Sequence, residues 1–275
     1  MQKLLMGNEA IALGALRAGV QVVTGYPGTP STEILETLVV YQKEWKQRAE
    51  GLPDCSCLIH AEWSVNEKSA LEVAAGAAWA GARAMVTMKQ VGLNVASDPL
   101  MSLNYLGVQG GMVVVVADDP GPISSQTEQD TRRFGLYAKI VVFDPASPEE
   151  AYTMIARAFA CSEKYHRPVI LRPTTRVCHS YASVELLPDL WNAGDLAKRT
   201  PDGFDKQGGR WVIFPSLSYR NHLKIEEELR QAADDFSCSS LNSITAGRAE
   251  EIAGVGCRGI AAGGVSRAYV KEILA

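Results

Sequence analysis

The chain has 275 residues and a formal net charge of −4, from 27 basic and 31 acidic residues. No block of like charge stands out, so nucleic acid and anionic membrane surfaces have no electrostatic footing. No apolar run is long enough to span a bilayer, no secretory pattern opens the chain, and the scattered cysteines lack metal-type spacing and read as reduced thiols of a cytoplasmic protein.

The first predicted element is a helix over 7–18, followed by a strand over 20–25. That strand ends directly on Gly25, Tyr26, Pro27, Gly28, Thr29, Pro30, Ser31, Thr32 and Glu33. Pro27 and Gly28 turn the backbone. Thr29 has the chemistry of an N-cap and Pro30 that of a first helical residue, which predicts a helix over about 31–48. A strand delivered to a helix N-terminus with free N–H groups and hydroxyls forms a ligand crevice in an open α/β sheet. Taken alone, the segment also reads as a capped strand-to-helix turn.

A short strand over 57–61 leads to a helix over about 65–80, built largely of small residues. Counting from Glu67, Ala70, Leu71, Ala74, Ala75 and Ala78 fall on the same face. Glu67 therefore heads the stripe that should pack inward. A carboxylate there is costly unless it is paired or protonated. The bland alternative is a first-turn Glu that favours the helix dipole and reaches solvent.

Further strands are expected over 84–88 and 111–117, the second apolar on both faces, and then over 140–143 and 169–171. Helices are expected over about 95–106 and 148–164. Strands alternating with helices of this length predict an α/β fold with a parallel sheet covered on both faces. Two loops follow strands and point to the crevice of Thr29: Met88 to Asn94, with Lys89 and Gln90, and Ala117 to Asp130, with Asp118, Asp119, Ser124 and Gln126.

A polar stretch over 191–210 reads as a linker between a first unit, 1–190, and a second α/β unit, 211–275. The second should begin with a strand over 211–215, continue through a helix over 219–236 and a strand over 258–262, and end in a helix still running at Ala275. It therefore reads as incomplete. There is no P-loop, no G-x-G-x-x-G after a strand, no G-x-S-x-G, no H-E-x-x-H and no metal-ligand set.

Four long collinear segments carry a resemblance: Leu4 to Gly19, Gly25 to Thr32, Ser64 to Ala78 and Val86 to Asn94. Together they resemble the amino-terminal part of the alpha subunits of indolepyruvate:ferredoxin oxidoreductases, within the thiamine-diphosphate-dependent 2-oxoacid:ferredoxin oxidoreductases. The likeness covers the whole chain and is strongest up to about residue 175. It implies that 1–190 is the pyrimidine-binding module and that 211–275 begins a domain like the transketolase C-terminal domain. It implies an enzyme that oxidatively decarboxylates 2-oxoacids to acyl-CoA and passes electrons to ferredoxin.

By the same resemblance Glu67 is the carboxyl that contacts the aminopyrimidine of thiamine diphosphate, and Thr29 lies near the reacting substrate. Gly28, Lys89 and Gln90 join Glu67 as expected cofactor contacts; Asp118, Ser124 and Gln126 join Thr29 as expected substrate contacts. The family's diphosphate-anchoring motif and cysteine-rich ferredoxin domain are absent. Magnesium, the diphosphate and 4Fe-4S clusters are thus expected on other modules, with a beta subunit, ferredoxin and coenzyme A as partners. The Arg that pyruvate-specific relatives carry after the central strand is replaced by Asp118, Asp119 and Pro120, which favours arylpyruvates. Gln90 stands where the indolepyruvate branch is expected to favour His. Phenylglyoxylate and branched-chain oxoacids remain alternative substrates, and a non-catalytic interaction subunit is the alternative outside enzymes.

Overall fold

A computed structural model describes residues 1–48, 59–187, 203–245 and 259–274. The order of elements is β1 (Gln2–Met6), α1 (Gly7–Arg17), β2 (Val22–Gly25), α2 (Thr32–Arg48), β3 (His60–Trp63), α3 (Glu67–Trp79), β4 (Ala84–Lys89), α4 (Gln90–Leu106), β5 (Met112–Ala117), α5 (Thr131–Ala138), β6 (Val142–Phe143), α6 (Pro148–Tyr165), β7 (Val169–Leu171), α7 (Thr175–His179), β8 (Tyr181–Glu185), α8 (Gly208–Trp211), α9 (Pro215–Ser237) and α10 (Gly264–Leu274). Strands β2 to β7 form a six-stranded sheet in the order β3-β2-β4-β5-β7-β6, and every pairing in it is parallel. The expected parallel α/β architecture is therefore present.

Strand side chains alternate between two cores, because successive residues of a strand point to opposite faces. Met85, Val113 and Val115 meet Ile11, Ile34, Leu38 and Phe159 on the layer of α1, α2 and α6. Val86, Met88, Val114 and Val116 meet Leu71, Ala74, Leu93 and Leu100 on the layer of α3 and α4. β5 is fully buried along its length, as its unbroken Val run requires. The predicted inward stripe of α3 is also buried: Ala70, Leu71, Ala74, Ala75 and Ala78 are at most 3% exposed.

Several boundaries differ from the sequence reading. α2 begins at Thr32 rather than at Pro30, because a turn over 29–31 intervenes, closed by Ser31 N–H donating to Gly28 O at 2.9 Å. The Thr29–Pro30 peptide is cis. Residues 90–94, expected as loop, are the first turns of α4. The antiparallel ribbon of β1 and β8 and the short helices α5 and α7 have no counterpart in the sequence reading. β1 and β8 are short and far apart in sequence, so each is a strand only because the other lies beside it.

The expected strand over 211–215 is absent. Gly208–Trp211 is a helical turn and Pro215 already opens α9. An apolar run is a strand only where a neighbour satisfies its backbone, and Val212, Ile213 and Phe214 have no ladder partner among the described residues. Trp211 instead packs on Trp79 and Phe204. Residues 259–263 form no strand either, and Arg258 lies outside the described residues. α9 lies on the first unit, across the edge where α4, α5 and α6 end. Asn221 donates to Tyr105 O at 2.8 Å, Arg167 pairs with Glu228 at 2.8 Å, and Lys139 pairs with Glu226. Of the predicted linker, residues 191–202 lie outside the described residues.

Candidate functional site

In the sheet order, β2 is followed by β3 on one side, whereas β4 is followed by β5 on the other. The chain thus diverges between β2 and β4. A crevice opens outside their carboxyl ends, at the place where open α/β sheets take ligands. β2 delivers the Tyr26–Thr29 segment to that crevice, β4 delivers Lys89, and β3 leads into Glu67.

Close approach sets the residue types here. A Cβ on Gly25 would lie 2.6 Å from Thr87 Oγ1 and 3.0 Å from Thr87 O, so a side chain is excluded. A Cβ on Gly28 would lie 3.1 Å from Lys89 Cδ, so the Lys89 stem runs against the bare glycine. The turn itself is held from α1, where Asn8 Nδ2 donates to Pro30 O at 2.7 Å and to Glu33 Oε2 at 2.8 Å. Thr29 is exposed at its tip.

Glu67 is the first residue of α3. Asn66 caps the helix, its side chain accepting from Ser69 N at 2.8 Å. Glu67 is only 8% exposed. A Cβ on Gly92, in the first turn of α4, would lie 2.5 Å from Glu67 Oε1 and 2.6 Å from its Cγ. The carboxyl therefore rests on a glycine, with no hydrogen bond or ion pair to any described residue. Ser64 Oγ and Thr87 Oγ1 are also buried without a partner, in the segments that bound this crevice. A carboxyl without a protein partner and buried, unpaired hydroxyls are groups that suit a ligand with donors and acceptors of its own. That donor set fits the edge of an aminopyrimidine ring.

The loop over 118–130 is built on its two aspartates. Asp118 is 0% exposed. It accepts from Thr131 N at 2.8 Å and pairs with Arg172 Nε at 2.6 Å. Asp119 Oδ2 accepts from the N–H groups of Ile123, Ser124 and Ser125 at 2.8–2.9 Å, and Oδ1 accepts from Thr175 Oγ1 at 2.7 Å. Burial alone would raise the Asp119 pKa, but these donors outweigh it and hold the group at about 2. Asp118, expected to touch substrate, thus has its carboxylate engaged inside the fold. Ser124 and Gln126 are exposed on the loop.

Gln90 pins this loop to the start of α4. Its Oε1 accepts from Asp119 N at 2.7 Å, its Nε2 donates to Thr127 O, and its backbone O accepts from Gln129 Nε2 at 3.0 Å. Gln90 is fully buried, and both ends of its amide are engaged by the loop. Sequence reasoning missed Arg172, Asn8 and Gly92. Arg172 stands directly after the apolar run of β7, a position that could have marked it; Asn8 and Gly92 carried no local signal.

Among the described residues no group of three or more His, Cys, Asp and Glu could hold a metal ion. No helix among them is long and apolar enough to cross a membrane.

Residues 13–216 match the family described as pyruvate flavodoxin/ferredoxin oxidoreductase, thiamine diphosphate-binding. The chain is 42% identical over 274 residues to "Indolepyruvate oxidoreductase subunit IorA" of Pyrococcus horikoshii, which covers 99% of this chain and 39% of that protein. The subunit of the same name from Pyrococcus abyssi is 43% identical over the same span. "2-oxoglutarate synthase subunit KorA" of Methanothermobacter thermautotrophicus is 28% identical over 194 residues, 67% of this chain and 47% of that one. The chain thus spans about two fifths of the length of the first two relatives. In fold, it superposes with TM-score 0.60 on the 2-oxoglutarate:ferredoxin oxidoreductase from Magnetococcus marinus, at 18% identity, covering 85% of this chain and 45% of that one. The family match over most of the chain and the identity to the two Pyrococcus subunits place it, and this chain belongs to the pyruvate flavodoxin/ferredoxin oxidoreductase thiamine-diphosphate-binding family.

Proposed function

We propose that this chain supplies the pyrimidine-binding part of an enzyme that oxidatively decarboxylates arylpyruvates, indolepyruvate among them, to acyl-CoA with electrons passed to ferredoxin. The observation that carries this reading is Glu67, 8% exposed, with its carboxyl packed against Gly92 and without a partner among the described residues. The names of the relatives at 42% and 43% identity support the arylpyruvate class. Bound thiamine diphosphate would supply the carbon nucleophile and electron sink that the decarboxylation needs.

The chain's own residues prepare the site. The Glu67 carboxyl would share a proton with the pyrimidine, in a hydrogen bond for which no described residue competes. Gly92 seats the Glu67 carboxyl, and Gly28 leaves room for the Lys89 stem. Thr29, exposed after β2, and Ser124 and Gln126, exposed on the loop that Gln90 anchors, would meet the substrate. Magnesium, the diphosphate and the 4Fe-4S clusters belong to modules outside this chain, including a beta subunit. The domain boundaries at 190 and 211 are part of the same proposal.

The test is turnover by the enzyme assembled from this chain and its partner subunits, with a viologen acceptor and coenzyme A. The expected result is a higher kcat/KM for indolepyruvate and phenylpyruvate than for pyruvate or 2-oxoglutarate. Preference for pyruvate or 2-oxoglutarate would overturn the substrate class. Turnover that does not depend on added thiamine diphosphate would overturn the cofactor.

A further inference from the structure

A 2-oxoacid brings a carboxylate into a crevice that must exclude water, and such a group needs a cation or several strong donors. The cations near the carboxyl edge of the sheet are mostly engaged. Arg172, 4% exposed, is held by Asp118 at 2.6 Å and Asp144 at 3.2 Å. Arg132 lies on Asp130 at 2.8 Å, Lys68 on Asp98 at 3.0 Å, and His179 faces Glu33 at 3.8 Å. Lys89 differs. It is the last residue of β4, at the point where the chain diverges, and is half-buried. Its stem is ordered against Gly28. Its ammonium has no hydrogen-bond or ion-pair partner among the described residues. It stands beside the segment that carries Thr29 and next to Gln90, and Gly92 behind Glu67 is three positions along the chain.

We propose that Lys89 is the residue that recognises the substrate carboxylate. This deepens the function proposed above and rests on it. A lysine is a compact point charge with three rotatable donors, so it grips one carboxylate without demanding the planar, two-point fit of arginine. Discrimination among side chains is then left to the loop that carries Ser124 and Gln126.

The test uses the assembled enzyme with Lys89→Met and Lys89→Arg. Binding of indoleacetate and of its neutral analogue indoleacetamide is measured by calorimetry, beside KM for indolepyruvate and the affinity for thiamine diphosphate. Lys89→Met removes a charge-assisted hydrogen bond and should weaken indoleacetate about 10- to 100-fold and raise KM similarly. Indoleacetamide and thiamine diphosphate should bind as before, and Lys89→Arg should recover part of the loss. Equal weakening of acid and amide would make Lys89 structural and overturn the proposal. Unchanged binding of both would do the same, as would a loss confined to thiamine diphosphate. Failure of the wild-type enzyme to oxidise any 2-oxoacid would instead overturn the proposed function.

Discussion

The carboxyl group of Glu67 occupies the space that a Cβ on Gly92 would take. The two residues open adjacent helices, α3 and α4, and the missing side chain on one seats the acid of the other. Gly92→Ala should therefore leave the fold in place and move Glu67. A helical Gly→Ala change gains roughly 1 kcal/mol of propensity, which offsets the displacement of a side chain that can rotate. Stability should stay within about 1 kcal/mol of wild type, read from chemical denaturation. Turnover of the assembled enzyme should fall more than about tenfold, since a misplaced acid no longer meets its partner. Activity equal to wild type would show that the seat is not needed.

Glu67→Gln separates chemistry from structure. Gln keeps the shape but cannot share a proton. Turnover should fall by roughly two to four orders of magnitude, the usual loss for a positioned acid–base group. Stability should change little, because the amide keeps the shape of a carboxyl that has no partner among the described residues, and at most the roughly 0.3–1 kcal/mol that an acid gains at a helix N-terminus is lost. The double variant with Gly92→Ala should be scarcely slower than Glu67→Gln alone, because both changes act on one group. Thermal unfolding and viologen-linked turnover of the same preparations give both readings.

Asp119 should make the 118–130 loop sensitive to acid. Its pKa in the fold is lowered from the usual 3.8 to about 2. A lowered folded value means that its contribution is fully present above the unfolded pKa and disappears as pH falls through the folded one. The loss should lie between about pH 4 and pH 2. Asp119→Asn should remove that pH dependence and cost roughly 1–3 kcal/mol at neutral pH, since an amide is a weaker acceptor for three backbone N–H groups and introduces an unmatched donor. Urea midpoints across this pH range for both proteins provide the check. Parallel curves for the two would rule out Asp119 as the source.

The sequence by itself determined the parallel α/β class, because the periodicity of short apolar strands and small-residue helices is a local property. It also singled out Glu67, since a carboxyl heading an apolar stripe can be counted along one helix, and α3 buries that stripe as expected. Tertiary structure decided what surrounds each group. Asp118 was legible as a polar residue after a central strand, but its partner Arg172 is 54 residues away, and their ion pair could not be read from adjacent residues. Gln90 likewise meets Asp119 and Thr127 only because β4 and β5 are neighbours in the sheet. The run over 211–215 had the composition of a strand and no neighbour to pair with, so packing of Trp211 and the start of α9 prevailed. Propensity and periodicity act through adjacent residues, whereas ion pairs, glycine seats and strand pairing depend on which distant segments are brought into contact, and that is fixed only when the sheet is assembled.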